Sequence, residues 1–395
     1  MLIKNLTLNN FRNYKKSSFQ FDNTNVIIGK NTIGKTNILE GISFLSTGKS
    51  FKAEKDVDAI KIDEEFAKVS AKIIDGSDII NLEAIIANNT NRFSKKLLVN
   101  GLPKKQSDFI SKLLTVIFTP QDIEIITDSP SLRRNYISNI LLQANKTYRN
   151  SLSVYEKALK QRNRLLDDIK DGKRNYKADE FEYWNILLIE NGAIITKERE
   201  NLVNFINKSK KDIFDLTIAY DKSTITQERI DKYHNAEIAS GLTLIGPQRD
   251  DFLILFLNPP LKRSLSRSSN ELRQKVSLGG PNNPNLPNHL TSSWNGGVAT
   301  TTTPSRWHRT IKEFGSRGEQ RLTILQLKKL EIEFIKQATE KTPILLLDDI
   351  FSELDNKNIQ KVLELINECQ TITTTTHKEF IPKSLLPHLH LIELK

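Results

Sequence analysis

Residues 29–36 constrain this chain more than any other stretch. Gly29-Lys30-Asn31-Thr32-Ile33-Gly34-Lys35-Thr36 places glycines either side of a four-residue spacer, then a lysine and a hydroxyl. An apolar run, Val26 to Ile28, precedes it, and Ile38, Leu39, Ile42 and Leu45 follow at helical spacing. Strand, glycine turn and helix in that order build a cradle for phosphate. The glycines let consecutive N–H groups point into one cavity, and the helix N-terminus adds the positive end of its dipole. Lys35 would neutralise β and γ phosphate charge, and the Thr36 hydroxyl would take a Mg²⁺ position. Gly29, Lys30, Asn31, Thr32, Ile33, Gly34, Lys35, Thr36 and Asn37 are therefore the expected ATP contacts. An accidental glycine-rich turn is the bland alternative; it needs pattern and context to coincide by chance.

Two later stretches carry matching chemistry. Ile344-Leu345-Leu346-Leu347-Asp348-Asp349 reads as a buried strand ending in two acids. Beside the phosphate-loop strand it would deliver Asp348 to the metal, while Asp349 would orient or deprotonate the attacking water. Taken alone, the pair also suits a solvated strand end. Phe314-Gly315-Ser316-Arg317-Gly318-Glu319-Gln320-Arg321 precedes a long helical pattern from Leu322 to Ala338. Ser316 and Gly318 there offer a hydroxyl and free N–H groups to a second phosphate. A plain helix cap by Ser316 is the competing reading.

A length of 395 residues predicts two lobes or one lobe with an insertion, and 38% hydrophobic residues can fill a sizeable core. The longest apolar runs fall far short of the roughly 18 residues a spanning helix needs. The alternating N-terminus does not read as a signal peptide. A single cysteine, Cys369, excludes an internal disulfide and fits a reducing compartment, so the cytoplasm is expected. The net charge is +11, which favours a polyanionic partner or a solubilising lysine surface. Residues 258–310 account for +6 of it, leaving +5 elsewhere, so the charge does not describe one basic face.

Residues 2–28 read as strand, turn and strand, with Leu2, Lys4 and Leu6 on one face and Ile3, Asn5 and Thr7 on the other. Short β-like runs fill residues 67–118. From about Ser131 to Ser209 the pattern predicts two antiparallel helices broken around Asp171 to Tyr176. Residues 258–310 hold six of the thirteen prolines and near low-complexity tracts, which predicts a disordered or loosely packed insertion. Strand and helix signals return from Ile311.

Several further segments carry a resemblance. They are Leu6-Thr7-Leu8-Asn9-Asn10-Phe11-Arg12-Asn13-Tyr14, Gly48-Lys49-Ser50-Phe51 and Phe118-Thr119-Pro120-Gln121-Asp122. Ser129-Pro130 with Arg133-Arg134, Gln161-Arg162-Asn163 and Gly246-Pro247-Gln248-Arg249-Asp250-Asp251 continue the series. With the phosphate loop, FGSRGEQR and LLLDDIFSELD, they run in order along nearly the whole chain. The chain resembles the RecF family, in the SMC-like branch of ABC ATPases. That family commonly has glycine where Thr32 stands, and it usually runs from the Arg-Asp-Asp segment into the signature loop through a short strand pair, where residues 258–310 intervene here.

The resemblance implies an α/β fold: a P-loop ATPase core from residues 1–120 and 310–395, interrupted by a helical arm over 121–245. It implies that Ser316 reaches the γ-phosphate held by an opposite subunit. It also implies that Gln121 contacts metal and water, that His377 senses the γ-phosphate, and that Ser352-Glu353-Leu354-Asp355 crosses the dimer interface. Asp349, Lys35, Gln121 and His377 become the expected catalytic set, and Thr36, Asp348 and Gln121 the metal set. The implied function is ATP-dependent DNA binding in replication, recombination and the SOS response to DNA damage. The protein would act at gapped DNA or single-/double-strand junctions with RecR and RecO to help RecA load. Lys49, Lys52, Arg133 and Arg134 are candidate phosphate-backbone contacts, with ordinary surface charge or structural salt bridging as the competing reading. An ATP-dependent homodimer with slow hydrolysis and no membrane is expected. The rivals are a transporter ATPase subunit, an SMC-like ATPase of another branch, and a non-catalytic module disabled by the insertion.

Overall fold

The structure is a computed structural model that describes residues 1–53, 55–89, 92–257, 310–352, 356–382 and 389–394. The expected insertion, apart from Thr310, and Glu353 to Asp355 of the dimer-crossing segment lie outside the described residues.

The N-terminal third builds an antiparallel sheet. Its strands are β1 (Leu2–Phe11), β2 (Tyr14–Gln20), β4 (Phe66–Asp75), β5 (Asp78–Asn89), β6 (Arg92–Val99) and β7 (Leu102–Pro103), in the order β2-β1-β4-β5-β6-β7. The faces of β1 differ from the simple alternation of the sequence. Its pairing with β4 shifts register between Ile3 and Asn5, so Ile3 and Leu6 both turn inward. A bulge adds one residue and so flips the face of everything beyond it.

A second, five-stranded sheet is wholly parallel. It contains β3 (Thr24–Ile28), β8 (Thr115–Phe118), β11 (Ile344–Asp348), β12 (Thr371–Thr375) and β13 (His390–Glu393), in the order β13-β3-β12-β11-β8. One expectation is corrected here. The acidic strand β11 does not lie beside the phosphate-loop strand β3, because β12 separates them. Apolar patterning marks strands for burial without fixing their order.

Helix α1 (Lys35–Thr47) sits between the two sheets. Its Ile38, Leu39, Ile42 and Leu45 join Leu6 and Leu8 of β1 and Ile344, Leu346 and Ile372 in one core. Gly41 permits the approach, since a Cβ there would lie 2.7 Å from the Leu8 side chain. The next residues along β11, Leu345 and Leu347, join a second core on the opposite face. A strand buried on both faces is what a covered parallel sheet requires.

The second core continues into helices α2 (Pro130–Ala144), α3 (Lys146–Lys170), α4 (Ala178–Lys208) and α5 (Gln227–Ser240), and a hairpin of β9 (Leu216–Asp221) and β10 (Asp251–Phe256). Helices α6 (Arg317–Thr339) and α7 (Asn356–Glu368) complete it. Residues 131–209 thus hold three helices where two were expected. The break is Asn145, extended at φ −130°, whose side chain accepts the Tyr148 N–H. Asparagine at an N-cap outcompetes continuation of the helix. The long helix starts at Arg317 because Gly315 and Ser316 interrupt a short turn over Ile311–Phe314.

The Gly246–Asp251 motif is a clamp. Asp250, fully buried, accepts the Arg199 guanidinium at 2.7 Å, the Tyr220 hydroxyl at 2.5 Å and the Ser223 N–H at 2.7 Å. Asp251 receives both arms of an Arg133 fork at 2.7 and 3.0 Å. Arg133 is therefore not a DNA contact as expected: it is buried and committed to Asp251. Asp250→Ala should cost about 3–5 kcal/mol, since it strands the Arg199 charge in the interior. Urea unfolding followed by circular dichroism reads this directly; an unchanged midpoint would deny Asp250 the role.

Candidate functional site

Four sequence-predicted elements end on one edge, the C-terminal ends of the parallel strands, where open α/β sheets bind ligands. The phosphate loop follows β3, His377 follows β12, Asp348 and Asp349 close β11, and Gln121 follows β8.

The loop has the conformation its glycines allow. Gly34 sits at φ 111°, and a Cβ there would collide with Asn13 and the Tyr14 hydroxyl at 2.6–2.9 Å. Thr32 also lies in the left-handed region, at φ 68°, a conformation that glycine takes without strain and a β-branched residue does not. Gly29 is buried, whereas Lys30, Asn31 and Thr32 are exposed. Asn13 Nδ2 donates to the Ile33 carbonyl at 2.7 Å, Asn37 Nδ2 to Asn13 Oδ1 at 2.9 Å, and the Tyr14 hydroxyl to the Gly34 carbonyl at 3.2 Å. The β1–β2 turn thus braces the loop from outside. Lys35 folds onto the loop, donating to the Gly29 carbonyl at 2.6 Å and that of Lys30 at 3.0 Å. Burial lowers its pKa below the usual lysine value, against the opposing pull of Asp349 and Asp348.

Thr36 Oγ1 reaches both oxygens of Asp348, at 3.0 and 2.9 Å. From the intervening strand, Thr374 Oγ1 donates to Asp348 Oδ1 at 2.7 Å and accepts the Asp349 N–H at 3.0 Å. Asp349 itself is left-handed, at φ 50°. A hydroxyl and a carboxylate converging this closely fit Mg²⁺, which takes one or two protein oxygens and leaves its other positions to phosphate and water. Among the described residues no three His, Cys, Asp or Glu side chains cluster as a metal site, in keeping with so sparse a ligand set.

The remaining expected residues are all exposed. Gln121 is exposed on the turn Pro120–Ile123. His377 is exposed and packs edge-on against Phe380 at 5.6 Å. Ser316 caps α6: its Oγ accepts the Glu319 N–H at 3.3 Å, and Glu319 reaches back to the Ser316 N–H at 2.7 Å. Both Ser316 and Gly318 are exposed, and a Cβ on Gly318 would meet open space. The hydrogen bonds of Ser316 stay within its own cap or helix; none joins it to the phosphate loop of its own chain.

A buried charge cluster links Gln121's turn to α6. Lys328 lies 3.4 Å from Asp122, 3.6 Å from Glu331 and 5.0 Å from the Tyr136 ring centre. Asp122 in turn accepts the Thr119 N–H at 2.6 Å. Burial raises the Glu331 carboxyl to about 7, although Lys328 opposes the shift. Asn13, Tyr14, Thr374 and Lys328 were not singled out by sequence reasoning as parts of a site. A threonine run in an otherwise buried strand was the one available signal.

Of the proposed DNA contacts, Lys49 and Arg134 line one cavity of about 730 Å³, together with Lys105, Arg149, Lys157 and Arg199. Among the described residues, Glu156 is the one carboxylate in its wall. Lys52 is exposed outside it.

Fold and site define a P-loop ATPase head of the ABC type. The family model "RecF/RecN/SMC N terminal domain" matches residues 2–386. A "DNA replication and repair protein RecF" from Acetivibrio thermocellus is 34% identical, covering 96% of this chain and 94% of its own. One from Lachnoclostridium phytofermentans is 33% identical with the same coverage. The solved structure of the recombination mediator protein RecF-ATP in the RecFOR pathway aligns with a TM-score of 0.77 at 28% identity, covering 96% of this chain and 93% of that one. The chain belongs to the RecF family. No described helix is long and apolar enough to cross a membrane.

Two predictions follow from this geometry. Asn13→Ala removes two braces of the loop, each worth about 0.5–1.5 kcal/mol. Nucleotide affinity, read by fluorescence titration, should fall on the order of tenfold; an unchanged affinity would make the brace irrelevant. The second concerns Glu331, whose pKa is higher in the folded than in the unfolded chain. Its contribution to stability is complete below about 4.5 and is lost as pH rises through about 7. Relative to Glu331→Gln, the wild type should therefore lose stability between those limits, and parallel pH–stability curves would contradict the assignment.

Proposed function

We propose that this chain is an ATP-dependent DNA-binding protein of recombinational repair and replication. It dimerises on ATP, hydrolyses it slowly, and acts in the cytoplasm at gapped or stalled DNA with RecR and RecO to help RecA load. The convergence of Thr36 and Asp348 beside Lys35 is the observation that carries the nucleotide half. Likeness to RecF proteins of DNA replication and repair supports the DNA half.

Lys35 exchanges its bonds to loop carbonyls for β and γ phosphate oxygens, while the loop N–H groups cradle the phosphates. Thr36 and Asp348 would hold Mg²⁺, with Gln121 completing the set; the ion, when bound, neutralises charge on the phosphate oxygens. Asp349 orients or deprotonates the attacking water, and His377 senses the γ-phosphate. Asp349 is one methylene shorter than glutamate, which suits slow turnover: a timer rather than a motor. Turnover of hundreds per second would sink that reading.

Ser316 and Gly318 are exposed, which suits a γ-phosphate presented by a second subunit. The same subunit would be divided into a core of residues 1–120 and 310–395 and an arm of residues 121–245. The cavity lined by Lys49, Lys105, Arg134 and Arg149 has the charge to accept a DNA backbone, with affinity falling steeply in salt.

Sedimentation with and without ATP and Mg²⁺ tests the proposal. Wild type should become a dimer only with ATP, and Lys35→Ala and Ser316→Arg should each remain monomeric. A wild type that binds ATP yet stays monomeric would leave a non-catalytic binding module as the better account.

A further inference from the structure

Strand β12 lies at the centre of the parallel sheet, with β3 on one side and β11 on the other. Thr371, Thr373, Thr374 and Thr375 on it are all fully buried. Valine has nearly the same shape, suits a central strand better and carries no hydroxyl to desolvate. Where a buried threonine hydroxyl does find a hydrogen bond, that bond offsets the cost. Among the described residues, Thr373 Oγ1 has no hydrogen-bond partner, and Thr371 Oγ1 donates only to the Cys369 carbonyl. Thr374 differs: it lies in register with Asp348 across β11 and with Ile27 across β3. It spends its one donor on Asp348 Oδ1 and accepts the backbone N–H of Asp349.

We infer that Thr374 is a positioning residue for the two acids, setting the direction of the Asp348 carboxylate and the backbone of Asp349. This rests on the nucleotide reading above. Among the described residues, Asp348 has two hydroxyl partners, Thr36 and Thr374. Thr36 belongs to the expected metal set and would turn to the ion, so Thr374 would remain as the protein group orienting the carboxylate. Partners behind a metal ligand fix its orientation, and losing one costs about 10–100-fold in metal affinity or activity. The N–H bond acts on Asp349, whose left-handed backbone is costly for a residue with a Cβ and persists only where its surroundings hold it. One hydroxyl thus couples metal holding to water positioning.

The test uses the full chain as wild type, Thr374→Val and Thr374→Ser. Three quantities are measured: binding of a fluorescent ATP analogue across a Mg²⁺ titration and in EDTA, kcat and KM, and the thermal transition. Thr374→Val should bind nucleotide in EDTA like wild type. It should need about 10–100-fold more Mg²⁺ and lose kcat on a similar scale with KM little changed. Thr374→Ser should restore both, because it returns the hydroxyl without the methyl. A valine variant with wild-type Mg²⁺ dependence and kcat would overturn the inference. So would a serine variant as impaired as valine, which would make the position one of packing alone. Wild type that binds no nucleotide even with Mg²⁺ would instead overturn the underlying nucleotide reading, and the two failures are told apart before any variant is compared.

Discussion

Thr36 and Asp348 are 312 residues apart in the chain and 2.9 Å apart in space. The rest of the structure is arranged around making that contact possible. It needs β3 and β11 to run in the same direction in one sheet, and it needs β12 between them to carry hydroxyls rather than bulk. It also needs a covered sheet, because the bond is part-buried and its Asp348 end is shielded from water by the strands around it. The antiparallel sheet and α1 cover one face; α6, α7 and the helices of the middle segment cover the other.

That arrangement explains why family segments far from the phosphates are structural. Arg12 forks onto Glu40 of α1, whose carboxylate is fully buried, and Ser50 donates to the same group. Both fasten α1 to neighbouring segments through Glu40. Asn13 and Tyr14, one and two residues on, brace the loop itself. Asp250 and Asp251 tie α2, α4 and the β9–β10 hairpin into one unit. Arg133, for which structural salt bridging was the competing reading, is a partner in these clamps.

Local chemistry was legible in the sequence; long-range pairing was not. Glycines around a four-residue spacer, a strand before and a helix after are local facts, and they fixed the phosphate loop and α1. Asp348 and Asp349 were legible as an apolar run ending in acids. The interposition of β12 was not, because strand order depends on which faces pack together. The Ile3–Asn5 bulge and the Asn145 break were missed because each is one residue whose effect depends on its neighbours' hydrogen bonds. Thr374 was hidden for a similar reason: its role exists only in register with Asp348. Ser316 was read as either a cap or a phosphate ligand, and within one chain its bonds are those of a cap.

The central claim is that one working site draws Lys35 from one subunit and Ser316 from another. Mixing Lys35→Ala with Ser316→Arg tests it most directly, because each variant lacks the half the other retains. Hydrolysis should be absent from each variant alone and reappear when the two are mixed with ATP and Mg²⁺. A mixture as silent as its components, under conditions where heterodimers are demonstrated to form, would contradict the account.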